Sequence, residues 1–384
     1  MKTTTDTCTI STVNKNLVIL SVSTINKTLV IDALRGLAAL AVLLSHSDHA
    51  HLIEISYLTQ IKGYFGLFGV NLFFIVSGYL IWISASKTLT HPQGLTIYAV
   101  HRATRLIPLY YVNIFTALVL VPMIGSHFVP YFSAEALLRH ITFTQALLPP
   151  VSRDINPVLW TLTHEVIFYL IVPLLFLCLR GRWHIECLLV TGVLFMMPPL
   201  YRITGPFAPF FQTFYLFVVG MAVAEKCKNK LPMWLALVAL VAMLVALESG
   251  IAIEYQVSII AITVFMLALS TLSFPASFMN RAVSVLLTPL AWVGVVSYSL
   301  YIWHYLLLNV ISFHSKSIVA LLQMMGLETT WTSGLYRGFG VLFLILLISF
   351  ISYWLVERPS MNALRNRLLE LLQKQRSNET RRSG

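Results

Sequence analysis

Ile31-Asp32-Ala33-Leu34-Arg35-Gly36-Leu37-Ala38-Ala39-Leu40-Ala41-Val42-Leu43-Leu44-Ser45-His46 is the stretch that decides the fold class. Apart from four polar positions it is apolar throughout, as a membrane span is, yet it carries an arginine. An arginine inside a span costs about 2.5–3.5 kcal/mol on insertion scales, so keeping one points to a use for it. At about 100° per residue, eleven steps return to within about 20° of the start. Arg35 and His46 are therefore expected on one helix face, about 16 Å apart along the axis. That spacing suits the two ends of one long ligand.

The rest of the chain agrees with a membrane reading. Its 384 residues are 58% hydrophobic and 11% charged, with a mean hydropathy of +0.80; an ordinary soluble domain carries about 25% charged residues. The apolar residues come in runs near twenty, which is the length of a spanning helix. A β-barrel would alternate over about ten residues, and 335–356 does not. The expected fold is all-α, a polytopic integral membrane protein. The net charge of +11 does not imply nucleic acid as a partner, because the basic residues sit in short gaps between apolar runs and in the tail. Cys8, Cys178, Cys187 and Cys227 have neither metal-like nor redox-like spacing and read as free thiols, so no metal is expected.

Ten spans are expected, near 29–47, 64–84, 104–124, 158–179, 185–200, 207–225, 232–248, 253–273, 288–311 and 335–356. Basic residues favour the cytosolic side of a membrane. With the N-terminus in the cytosol, nineteen of the 26 Lys and Arg fall in cytosolic segments, six fall outside, and Arg35 lies within the membrane. The alternation supports ten transmembrane helices with both termini cytosolic. The chain then divides into a cytosolic N-terminal tail (1–28), a transmembrane domain (29–357) and a basic cytosolic C-terminal tail (358–384) suited to anionic membrane lipid. The outer loop near 125–157 is long enough to cover a site or to dip into the membrane.

Four polar clusters interrupt the apolar background. Asp32, Arg35 and His46 form the first. Arg102 and Arg105, expected at the cytosolic opening of the third span, form the second; neighbours at i and i+3 at a helix N-terminus suit phosphates. By themselves these two also read as topology charges or headgroup contacts. The third runs from Trp160 through His164 and Glu165 to Tyr169, with Glu165 about 10 Å below the outer surface; a buried carboxylate needs a partner or a proton. The fourth holds Ser297, Tyr298, Tyr301 and His304, of which Ser297, Tyr301 and His304 share one helix face. On this count His46, Glu165 and His304 reach one depth in the outer third of the membrane, while the arginines lie toward the cytosol. The pattern suits an anionic cytosolic ligand whose reactive end is delivered outward. Ser77-Gly78 in the second span reads as close helix packing, and Phe73 and Phe74 as packing or lipid contacts.

In their order, these features resemble membrane-bound acyltransferase family 3, the bacterial glycan O-acyltransferases. The residues that carry the resemblance are Arg35 and His46, Phe73-Phe74-Ile75-Val76-Ser77-Gly78, Arg102 and Arg105, Trp160 to Glu165 to Tyr169, and Ser297-Tyr298-Ser299-Leu300-Tyr301 to His304, over about 29–360. Thr161 stands where the family often has Ser. The resemblance implies an O-acyltransferase of the bacterial inner membrane. It also implies acyl-CoA (most often acetyl-CoA) as the donor substrate, no tightly bound cofactor, and a glycan or lipid-linked saccharide as acceptor. It makes the residues matching Arg35 and His46 essential and links the pair matching Arg102 and Arg105 to the donor. On the residues' own chemistry, His46 is the expected base, with an acyl-histidine intermediate as the variant of the same step. Glu165 is expected to orient it, and Arg35, Arg102 and Arg105 to bind acyl-CoA. Tyr298, Tyr301, His304 and Trp160 are expected to line the acceptor side. The competing reading is a transporter or flippase for a lipid-linked saccharide. It also accommodates intramembrane charge, but it predicts repeats or broken helices near the midplane.

Overall fold

A computed structural model describes residues 27–47, 56–125, 133–147, 155–178, 205–226, 231–273, 278–324, 334–367 and 370–371. Those residues form helices and connecting turns, with no strand among them. Among the described residues six helices are long and apolar enough to cross a membrane, or seven crossings if one bent pair counts as a single span. The expected fifth span (185–200), most of the N-terminal tail and the end of the C-terminal tail lie outside the described residues.

α1 (Lys27–Ser45) packs mainly against α2 (Ser56–Thr88) and α10 (Phe278–Val295). Between α2 and α10 come α3 (Gly94–Phe115), the short α4 (Val121–Ile124), α5 (Ala134–Ile141), α6 (Trp160–Cys178), α7 (Ala208–Lys226), α8 (Met233–Glu248) and α9 (Ile253–Ser270). α11 (Ser297–Phe313), α12 (Ser315–Met324) and α13 (Gly334–Ser352) follow α10. A π-turn (Tyr353–Glu357) then leads into helix over 358–367.

Lipid removes the hydrophobic drive between helices, so association rests on close packing and interhelical hydrogen bonds. Two glycine crossings supply the closest approaches. A Cβ on Gly36 of α1 would fall 1.9 Å from the Leu290 carbonyl oxygen, and one on Gly294 of α10 would fall 1.8 Å from that of Asp32. Gly78 of α2 meets Phe217 of α7 in the same way, at 2.1 Å, and Gly220 meets Ile75 at 2.0 Å. The packing role expected for Gly78 is thus its role in the fold. Buried aromatic rings, such as Phe168 stacked on Phe217 at 4.3 Å, fill the space between these helices. α8 and α13 instead turn rows of large apolar side chains outward, as helices at a lipid boundary do.

Four expected boundaries change. α1 ends at Ser45, so His46 lies in the turn after the helix and not on its face. The hydroxyls of Ser45 and Ser47 bond back to the carbonyls of Val42 and Leu44 at 2.7 Å each, occupying acceptors that the helix end leaves over. α3 begins at Gly94, eight residues before Arg102, so the arginine pair sits inside a helix and not at its N-terminus. Apolar counting located the span but missed this amphipathic first stretch. The expected ninth span (288–311) is broken: Val283–Val295 and Ser297–Phe313 meet at 66° around Val296. The glycine crossing of α10 on α1 sets the first half, and the packing of α11 against α3 and α13 sets the second. α2 is longer than expected, at 33 residues.

Part of the loop expected near 125–157 is ordered against α3. Tyr110 and Tyr111 donate to the carbonyls of His140 and Ile141 at 2.9 and 2.8 Å, at the end of α5. Phe143 stacks on Tyr110 at 4.2 Å while holding φ +56°, a left-handed conformation that is strained for an aromatic residue. Asn156 donates to Asn113 at 3.0 Å, and Asn113 donates to the Ile302 carbonyl at 3.2 Å, tying the loop to α3 and α11.

Candidate active site

A cavity opens where α1, α2, α3, α6 and α11 meet. Arg35 enters it from α1 and Arg105 from α3; Glu165 and Tyr169 enter from α6, and Ser297, Tyr298 and Tyr301 from α11. Val70, Phe73, Phe74, Val76, Ser77 and Leu80 of α2 make an apolar wall interrupted by one hydroxyl. Helical periodicity brings most of the α2 set to one side. Phe73, Phe74 and Ser77, expected to pack or face lipid, thus belong to the cavity.

Arg35 and Arg105 are near enough to repel each other, and carboxylates offset that repulsion. Arg35 donates to Asp32 at 3.3 Å, and both arginines feel the charges of Glu165 and Glu357. Buried charge is tolerated only in such balanced, hydrogen-bonded clusters. Tyr169 donates to Glu165 across one helical turn. Ser299 donates to Glu357 at 2.7 Å, and Glu357 is 4% exposed. Glu357 had looked like the boundary of the tail; the π-turn after α13 carries it into the bundle. The signal available in the sequence was one carboxylate closing an apolar run.

Arg102 does not share the cavity with Arg105. Its guanidinium lies over the rings of Tyr98 and Tyr169, at 5.7 and 5.6 Å, so it backs the cavity through Tyr169. Cation–π contact of this kind compensates a partly desolvated arginine.

The histidines form a separate cluster. The rings of His46 and His304 have centroids 5.4 Å apart, and Tyr305 meets His46 edge-on at 5.2 Å. His304 is 1% exposed, with Nδ1 at 2.6 Å from the Tyr301 carbonyl oxygen. That contact puts the proton on Nδ1 and leaves Nε2 as a buried nitrogen without a hydrogen-bond partner. Tyr301 touches both clusters: its ring lies 5.6 Å from that of His304 and 5.7 Å from that of Phe73. Its hydroxyl is pinned between Thr161 at 2.7 Å and the Val158 carbonyl at 2.8 Å. Tyr298 is held likewise, donating to the Leu106 carbonyl at 2.6 Å.

The residues singled out in the sequence therefore gather in two groups. Arg35, Arg105, Glu165, Tyr298 and Tyr301 line the cavity, whereas His46 and His304 pair beyond Tyr301. Glu165 faces the arginines and Tyr169. Trp160 is 37% exposed and packs edge-on to His164 at 5.1 Å and to Phe74 at 6.4 Å, behind the cavity lining and not in it. Among the described residues no group of three His, Cys, Asp or Glu could hold a metal ion.

Comparison with known proteins supplies the family context. The family Acyl_transf_3, described as an acyltransferase domain, matches residues 29–354. The candidate membrane-bound transacylase BcsY of Komagataeibacter xylinus is 28% identical over 358 residues, covering 86% of this chain and 82% of the relative. The exopolysaccharide production protein ExoZ of Rhizobium meliloti is 25% identical, covering 77% of this chain and 89% of the relative. The peptidoglycan O-acetyltransferase OatA of Listeria monocytogenes is 26% identical; the match covers 72% of this chain but 48% of that longer protein. No solved structure matches the chain.

Proposed function

The chain belongs to the Acyl_transf_3 family of acyltransferase domains, and on that premise we propose that it is an O-acyltransferase using acyl-CoA, acetyl-CoA above all. The acceptor is a hydroxyl of a glycan or lipid-linked saccharide at the outer side of the bacterial inner membrane. Ten spans with both termini cytosolic complete the reading. Beyond the six long apolar helices, α3, α8 and the bent pair supply three more crossings, the sequence pattern assigns the tenth to 185–200, outside the described residues, and the bias of basic residues sets the direction.

The observation that carries the reading is the chain of contacts through Tyr301: it lines the cavity that holds two arginines, and its ring lies 5.6 Å from His304, which pairs with His46. Arg35 and Arg105 bind the polar groups of the donor, with Arg102 behind Tyr169 extending the positive field toward the cytosol. The apolar wall of α2 suits the thin pantetheine arm and brings the thioester toward the histidines. His46 takes the proton of the acceptor hydroxyl as its oxygen attacks the thioester carbonyl. The tetrahedral adduct collapses, the C–S bond breaks, and the CoA thiolate recovers the proton from the imidazolium. Glu165 and Glu357 keep the arginine cluster charge-balanced when no donor is bound.

The test uses purified protein with radiolabelled acetyl-CoA and surface polysaccharide. Expected is release of CoA coupled to label in the glycan, with both lost in His46→Ala while donor binding persists. Movement of a lipid-linked saccharide without CoA consumption would sink the enzyme reading in favour of a flippase.

A further inference from the structure

The two ends of the cavity differ in chemistry. At one end Arg105, Tyr298 and Tyr169 offer polar groups, and Leu80 of α2 lies two turns beyond Phe73. At the other, Phe73, Val70 and Tyr301 make an apolar cap, with the Phe73 and Tyr301 rings edge to face at 5.7 Å. Tyr301 is the fixed half of that cap, since its hydroxyl is held at 2.7 and 2.8 Å by Thr161 and the Val158 carbonyl. Phe73 has no polar atom to hold it. A thioester presented to the histidines beyond Tyr301 sits at this capped end, where Val70, Phe73 and the Tyr301 ring give its acyl chain apolar surface to lie against.

Resting on the acyl-CoA reading above, we propose that Phe73 is the specificity-determining residue for acyl chain length: its ring closes the cap and confines the donor to short acyl groups. An apolar pocket discriminates about 10- to 200-fold per methylene of mismatch, so one side chain at this place is enough to set the preference. Val70, one helical turn away, supports the same wall.

The experiment measures dissociation constants of CoA, acetyl-CoA and hexanoyl-CoA for the full-length protein in detergent, which needs no acceptor. The unsubstituted protein is expected to bind acetyl-CoA at least about tenfold more tightly than hexanoyl-CoA. Phe73→Ala should reverse the order and Phe73→Leu should narrow it. Leu80→Ala, at the opposite end, should leave the ratio within about twofold, whatever it does to both affinities. If Phe73→Ala is not recovered as a monodisperse protein, Phe73→Leu decides. An unchanged ratio in the folded Phe73 variants, or an unsubstituted protein that does not discriminate, overturns the gauge while leaving acyl-CoA binding intact. Failure of the unsubstituted protein to bind any of the three overturns the acyl-CoA reading and the gauge with it.

Discussion

The arginine cavity and the histidine pair are neighbours built on opposite principles. The cavity keeps open space and gathers charge: two guanidinium groups balanced by Asp32, Glu165 and Glu357. The histidine pair has aromatic rings packed around it and a nitrogen of His304 left without a partner. Balanced charge in a roomy site suits binding, because a polar ligand exchanges one set of ionic contacts for another. The His304 ring, oriented by its Nδ1 contact, packs beside His46, the base proposed for proton transfer. Both regions hang on α1, which carries Arg35 within the helix and His46 one residue past its end.

The bluntest way to break the comparison is to move α1 itself. Gly36→Val puts a side chain where a Cβ already falls 1.9 Å from a backbone oxygen. It should destroy both regions together, read as loss of monodisperse protein in size-exclusion chromatography. His46→Ala should break one region alone: transfer falls about 10²- to 10⁴-fold, while acyl-CoA affinity in a binding assay stays within about twofold. Arg105→Ala should do the converse, weakening acyl-CoA affinity about 10- to 100-fold through lost charged hydrogen bonds of about 1.5–3 kcal/mol. Comparable loss of donor affinity in the His46 and Arg105 variants would erase the division of labour. The smallest effect is expected at the wall between them. Tyr301→Phe removes hydrogen bonds worth about 1 kcal/mol; it should lower the melting temperature slightly and slow transfer severalfold without changing the donor dissociation constant.

Several of these residues were visible in the sequence because membrane burial makes polar groups conspicuous. Arg35 and Glu165 each interrupt an apolar run and Arg105 opens one; the structure brings the three into one cavity, a grouping that counting depth did not give. Other features were not visible, for reasons that can be named. Phe73 and Phe74 look like any aromatic residues in a span; only the neighbours of α2 turn them into cavity wall. Glu357 looked terminal until the π-turn carried it inward. The expected approach of Glu165 to His46 came from counting depth along separate helices, and depth says nothing about azimuth. In the structure Glu165 accepts from Tyr169 and lines the arginine cavity, and the His46 ring lies 5.4 Å from that of His304.

The all-helical membrane character and the strangeness of Arg35 were determined by the sequence alone, because they depend on composition and local period. The tertiary structure decided which polar side chains meet. The glycine crossings of α1 on α10 and α2 on α7 set how close the helices come, and the 66° bend at Val296 sets how α11 enters. Such contacts depend on the relative rotation and tilt of helices distant in the chain, which packing fixes and a one-dimensional pattern does not carry.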